Sequence, residues 1–232
     1  MRIEHASVTR ELRDAGLAGV RVLQTGIGKD AILRALAAEL ESRRPVLVIL
    51  AGACGALSHV DEVPPIARVI DEHGGSWTPA LADSTGVSLI AVDRIVSTPA
   101  DKQELAARTG AAIVDMEAHA FARFCLERGQ RWTVVRGVSD TPDQTLPQEV
   151  LGWITPGGDT RSGRAAVDML RKPWLIPHIV GVVRRSNRVL PKVGRRVAEL
   201  ILQSVPRASA TGRDAHGVTE RPYQFATPEA RR

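Results

Sequence analysis

Apolar positions along this chain fall into short β-branched runs separated by stretches with helical spacing. Val20–Gln24, Val46–Leu50, Val87–Val92 and Thr133–Val138 are brief, apolar and bounded by Gly, Pro or charged residues, the pattern of buried strands. Lys29–Arg43, with Ile32, Leu33, Leu36 and Leu40 recurring on one side, and Glu117–Arg128 predict amphipathic helices. Asp101–Arg108 predicts a shorter helix with Asp101 as its cap. Such alternation implies an α/β fold, a three-layer αβα arrangement around a central mixed sheet. Ligands of such sheets sit beyond the carboxyl ends of strands, so the residues following each strand carry the information about function.

No internal repeat interrupts this order, but from Arg161 onward the pattern turns helical, and Pro173, Pro177 and Pro191 are expected to break it into pieces. Residues 1–170 are therefore expected to form one domain, 171–207 a basic amphipathic helical extension, and 208–232 a disordered tail of few large apolar groups. A chain of 232 residues, 44% hydrophobic, is long enough for one well-buried core.

Charge changes the picture only near the end. Arg171–Arg207 holds nine Lys or Arg against the lone acid Glu199, so eight of the positive charges lie there and the rest of a chain of net charge +5 stands at −3. The stretch through Leu202 is apolar on one side and cationic on the other, which suits either docking at an anionic membrane surface or packing on the core with arginines in solvent. Aromatic content of 3% argues against base-stacking platforms, and nucleic acid is not expected as a partner. Cys54 and Cys125 lack paired spacing, and none of the six histidines has metal-ligand spacing, so neither a disulfide, a metal nor a cofactor is expected. With no signal pattern and no apolar run near the ~20 residues of a membrane helix, a cytoplasmic protein is expected, one that could rest peripherally at the inner membrane surface.

Four post-strand segments stand out. Val20–Gln24 runs into Thr25-Gly26-Ile27-Gly28-Lys29, where glycines let the backbone approach a ligand and a helix N-terminus offers free N–H groups. The spacing fits neither a P-loop nor a dinucleotide fingerprint. Val46–Leu50 ends in a small-residue loop, Ala51-Gly52-Ala53-Cys54-Gly55-Ala56-Leu57, in which Cys54 reads as a small buried residue because nothing nearby activates it. Val114-Asp115-Met116-Glu117-Ala118 puts a carboxylate at a helix start, and Arg136-Gly137-Val138-Ser139-Asp140 ends a strand in an acid. Each alone reads as a turn, a cap or close packing. Together at one edge they suggest a site.

In this order the four segments resemble the nucleoside phosphorylase and nucleosidase superfamily, and within it the methylthioadenosine/S-adenosylhomocysteine nucleosidases, over about Met1–Asp143. The compact N-terminal half and the proline-broken basic C-terminus are similar to the hopanoid-associated phosphorylases, nucleosidases of adenosylhopane. The resemblance implies recognition of a purine nucleoside, which in that subgroup is lipid-linked, and a homo-oligomer, taken as a homodimer. By resemblance, Asp140 is the general acid at purine N7 and Ser139 supports its carboxyl. Glu117 binds ribose hydroxyls, Met116 packs on the sugar, and Gly26, Gly28 and Gly55 belong to the substrate-binding loops. Met1-Arg2-Ile3-Glu4 matches a Met-x-x-Glu segment whose acid activates water, giving Glu4 as the base. The family places a strand before that Met, so the first strand is expected to be missing, and the short interval from Glu4 to Gly26 implies a missing hairpin and a wider pocket.

Cleaving an N-ribosidic bond builds positive charge on the sugar and negative charge on the base, so it needs a proton donor at the base and an activated nucleophile below the ring. Asp140 can donate only when protonated, which predicts a pKa raised by a desolvated pocket. The family-like segments supply only Lys29 and Arg136 as cations, which favours hydrolysis over phosphorolysis. The alternatives are a phosphate-dependent phosphorylase, or a non-catalytic nucleoside-binding or membrane-associated relative.

Overall fold

The computed structural model describes residues 2–147, 171, 172 and 175–204. The chain opens on helix α1 (Arg2–Asp14), followed by α2 (Lys29–Ser42), β1 (Val48–Ala56), β2 (Ile66–Asp71), β3 (Ser76–Trp77) and β4 (Val87–Ala91). Then come α3 (Pro99–Thr109), β5 (Ile113–Asp115), α4 (Ala118–Glu127), β6 (Trp132–Asp140) and the long α5 (Leu175–Ser204). Among the described residues the strands form one six-stranded sheet in the order β3-β2-β4-β5-β1-β6. It is mixed: β2, β4 and β5 pair in parallel, as do β1 and β6, while β1 and β5 meet antiparallel.

Helices cover both faces, as the alternation of apolar runs requires. One core layer packs Ile32, Leu36 and Leu40 of α2 and Phe121, Ala122 and Cys125 of α4 on the sheet. The other is built by α1 and α5, with Val8, Leu12, Val189, Val193 and Val197 closing over Val135 of β6. The apolar side of α5 from Val189 to Leu200 is thus turned to the core, while Arg184, Arg188, Lys192 and Arg195 face solvent.

Four expectations are corrected. Val20–Gln24 is not a strand: it joins no ladder of the sheet, and its Val20 and Val22 pack on the α1–α5 core. The small-residue segment 51–56 is not a loop but the second half of β1, where side chains of minimal size let β5 and β6 close in. Pro177 and Pro191 do not divide the C-terminal segment, since 175–204 is one continuous helix held by its buried face. Helix α3 is capped by Thr98, whose Oγ1 accepts from the Asp101 N–H at 3.1 Å, with Pro99 in its first turn and Gly110 closing it in the left-handed conformation. The expected disordered tail, 208–232, lies outside the described residues.

Candidate functional site

The site forms where β1, β5 and β6 meet. β1 and β5 share only two register pairs, Gly55 with Val114 and Ala56 with Ile113. An irregularity between Cys54 and Gly55 then brings Gly55 alongside Asp140, the last residue of β6. Space at Gly55 is tight: a Cβ would lie 3.2 Å from Val114 and 3.3 Å from the Asp140 carboxylate, so a side chain there would press on both.

Three carboxylates that the sequence had singled out, Glu4, Glu117 and Asp140, line one cavity of about 980 Å³. Glu4 reaches it from the first turn of α1, where its Oε1 accepts from the Ala53 N–H at 2.9 Å. Glu117 stands at the start of α4 without capping it. That task falls to Asp115, whose Oδ1 accepts from the N–H groups of Glu117 and Ala118 at 3.3 and 3.1 Å. The Glu117 carboxylate is thereby free to accept from the Gly28 N–H at 2.8 Å and to pair with Arg136 at 3.2 Å. Gly28 holds φ at +85°, a conformation that favours glycine, and starts α2. Met116, Ser139, Gly26 and Gly55 line the same cavity, and Gly28 lines an adjoining hollow.

Electrostatics at the site follow from burial. Arg136 is 4% exposed and donates through Nε to Asp115 at 2.8 Å and through Nη2 to the same oxygen and to Glu117. Burial opposes its charge, but Asp115 and Glu117 outweigh that and bind its proton more firmly than usual. Burial raises the pKa of Glu117, with Arg136 working against the rise and Asp115 adding to it. Burial likewise raises that of Asp140, opposed by Lys102. The Cys54 thiol is pushed far up by burial, consistent with a packing residue.

Sequence reasoning missed two residues. Asp115 lies inside the Val114–Ala118 motif but reads as an ordinary strand end. Lys102 reads as a solvated helix position, yet it is 0% exposed and its Nζ lies 2.5 Å from Asp140 Oδ2. Only the phase of α3 could have revealed it: Lys102 is three residues before Leu105, on the face turned to the sheet. Among the described residues no cluster of His, Cys, Asp and Glu could hold a metal ion.

The site is thus a mixed sheet covered by helices on both faces, with three carboxylates lining one cavity near the ends of β1, β5 and β6. A sequence model of the phosphorylase superfamily matches residues 81–171, in agreement with the resemblance of the motifs. Among solved structures, the methylthioadenosine/S-adenosylhomocysteine nucleosidase of Helicobacter pylori superposes with a TM-score of 0.59 at 12% identity, covering 88% of this chain and 95% of that one. The corresponding Colwellia psychrerythraea nucleosidase, solved with adenine, gives 0.54 at 16% identity over 78% and 76%. Futalosine hydrolase of Helicobacter pylori gives 0.53 at 13% over 88% and 93%. At these identities the likeness is one of fold. A search of curated proteins returned no match.

Proposed function

We propose that this protein is a purine nucleosidase that hydrolyses the N-ribosidic bond of an adenosine-type nucleoside. The observation carrying this reading is the convergence of Glu4, Glu117 and Asp140 on one cavity. Asp140, held in its acid form to higher pH by burial, protonates purine N7 as the glycosidic electron pair passes to the base. Ser139 supports the Asp140 carboxyl from 3.0 Å. Glu117, anchored by Gly28 and Arg136, accepts from the ribose hydroxyls, and Met116 packs on the sugar. Glu4 takes a proton from the attacking water, which adds to the anomeric carbon from the face opposite the base.

Water is favoured over phosphate because the cations at the site are already committed. Arg136 is paired with two carboxylates, and Lys29 bonds Asp93 at 2.5 Å. A phosphate would have to break those pairs. Chromatographic detection of adenine after incubation with adenosine and methylthioadenosine, with and without phosphate, tests the reading. Release without phosphate is expected, and a strict phosphate requirement would overturn hydrolysis.

The finer reading is that the substrate carries a large apolar 5′ group, as adenosylhopane does. Beyond the acids the cavity continues past Leu36, Leu40, Leu47, Ile49 and Ile201, an apolar wall that a small 5′ substituent would leave unfilled.

A further inference from the structure

Lys102 is a buried charge to which the mechanism above gives no task. Its ammonium has three protons and three acceptors around it: Asp140 Oδ2 at 2.5 Å, the Thr141 carbonyl at 2.7 Å and the Gln144 carbonyl at 3.0 Å. Burying a charge costs several kcal/mol unless partners of this kind compensate it, so a lysine serving only to fill space is a poor choice here. The other carboxyl oxygen of Asp140, Oδ1, lies 3.0 Å from Ser139 Oγ, and that hydroxyl lies 3.0 Å from the Cys54 carbonyl as well. Serine has one proton for the two acceptors, so Oδ1 is the oxygen whose bonding stays incomplete.

From this geometry we infer that Lys102 is a positioning residue for Asp140: it fixes Oδ2, stops the carboxyl from rotating, and leaves Oδ1 to carry the proton to the leaving base. The inference rests on the reading of Asp140 as the acid. In turnover the Oδ1 proton passes to purine N7 while the glycosidic bond breaks toward the base; the proton that Glu4 takes from the attacking water is then released to solvent, and solvent reprotonates Oδ1, so no net proton is gained or lost. Lys102 keeps all three of its own protons. The pairing also sets the range in which Asp140 works, because burial raises its pKa and Lys102 draws it down. Arg185 of α5 and Cys54 of β1 also interact electrostatically with this carboxyl, and the Arg185 charge acts in the same sense as Lys102.

The test replaces Lys102 with neutral side chains, K102Q, which can still donate to the Thr141 and Gln144 carbonyls, and K102M. Two readings are taken: the pH profile of adenine release, and the titration of the Asp140 carboxyl by carbon-13 NMR in the unliganded protein. Expected are a kcat at least ~10-fold lower with KM changed less than about threefold, and an Asp140 midpoint at least about one pH unit higher, carrying the alkaline limb of the profile with it. A folded neutral variant with an unmoved midpoint and wild-type kcat overturns the inference. If neither variant folds, the Lys102 nitrogen is observed directly in the wild-type protein by nitrogen-15 NMR. An ammonium with exchange-protected protons supports the pairing, and a neutral amine overturns it. Should the wild-type protein release no base from any nucleoside, the proposed function fails, while the carboxyl titration still decides whether Lys102 governs Asp140.

Discussion

Asp140→Asn keeps the shape of the acid and removes its proton, so adenine release should fall ~10²- to 10⁴-fold with the fold retained. Circular dichroism alongside the assay checks this, and near wild-type turnover would remove Asp140 from the chemistry. Glu117 makes a different prediction, about stability. Its folded pKa is raised, by burial above all, so between the ordinary value near ~4.3 and the raised one the folded protein binds more protons than the unfolded chain. Stability contributed at this position is therefore present at low pH and lost as pH rises through that window. Urea unfolding of the wild type and Glu117→Gln should show the wild type losing ground to the variant from about pH 4 toward neutrality. A difference independent of pH would contradict the shift. At this scale the motifs Val114–Ala118 and Arg136–Asp140 brought out Glu117 and Asp140, and both line the cavity. Lys102 and Asp115 were not legible, because their importance comes from a partner 38 residues away in one case and 21 in the other.

Elements follow tertiary packing where it opposes local preference. Val20–Gln24 has the composition of a strand but joins no ladder, and its Val20 and Val22 pack on the α1–α5 core instead. Segment 51–56 has the composition of a loop and becomes a strand because two neighbours hold it. Ile66–Asp71 escaped notice since Arg68 interrupts its apolar run, although that guanidinium bonds Ser88 Oγ of β4 at 2.8 Å across the sheet. Helix α5 continues through Pro191 because Val189 and Val193 are packed on β6 and α1. That interface depends on Gly137: a Cβ there would lie 2.2 Å from Val189 Cγ1 and 2.7 Å from Val193 Cγ2. Gly137→Ala should accordingly lift α5 from the sheet and cost about 1–3 kcal/mol, read as a lower denaturant midpoint. Combining it with Val189→Ala should recover part of the loss, and failure to do so would mean that the clash is not what destabilises the variant.

For the molecule as a whole, the two ends of the cavity make different demands on a ligand. At one end Glu4, Glu117, Asp140 and Arg136 are held by hydrogen bonds, the end to which the proposed function assigns the purine and the ribose. At the other, the walls of α1, α2, β1 and α5 are apolar, and Arg43 and Arg44 stand among the lining residues. Apolar surface of this kind rewards each methylene removed from water by about 0.8 kcal/mol, close to fourfold in affinity per carbon. A series of 5′-alkylthio-5′-deoxyadenosines should therefore show KM falling with chain length while kcat stays nearly constant, because the added carbons lie far from the breaking bond and bind ground state and transition state alike. Leu47→Glu, placing a charge at a half-buried position of the apolar wall, should abolish the gain for long chains and spare methylthioadenosine. A KM that is flat or rises with chain length would show that the cavity is not an extension of the substrate site and would confine the protein to small 5′ groups.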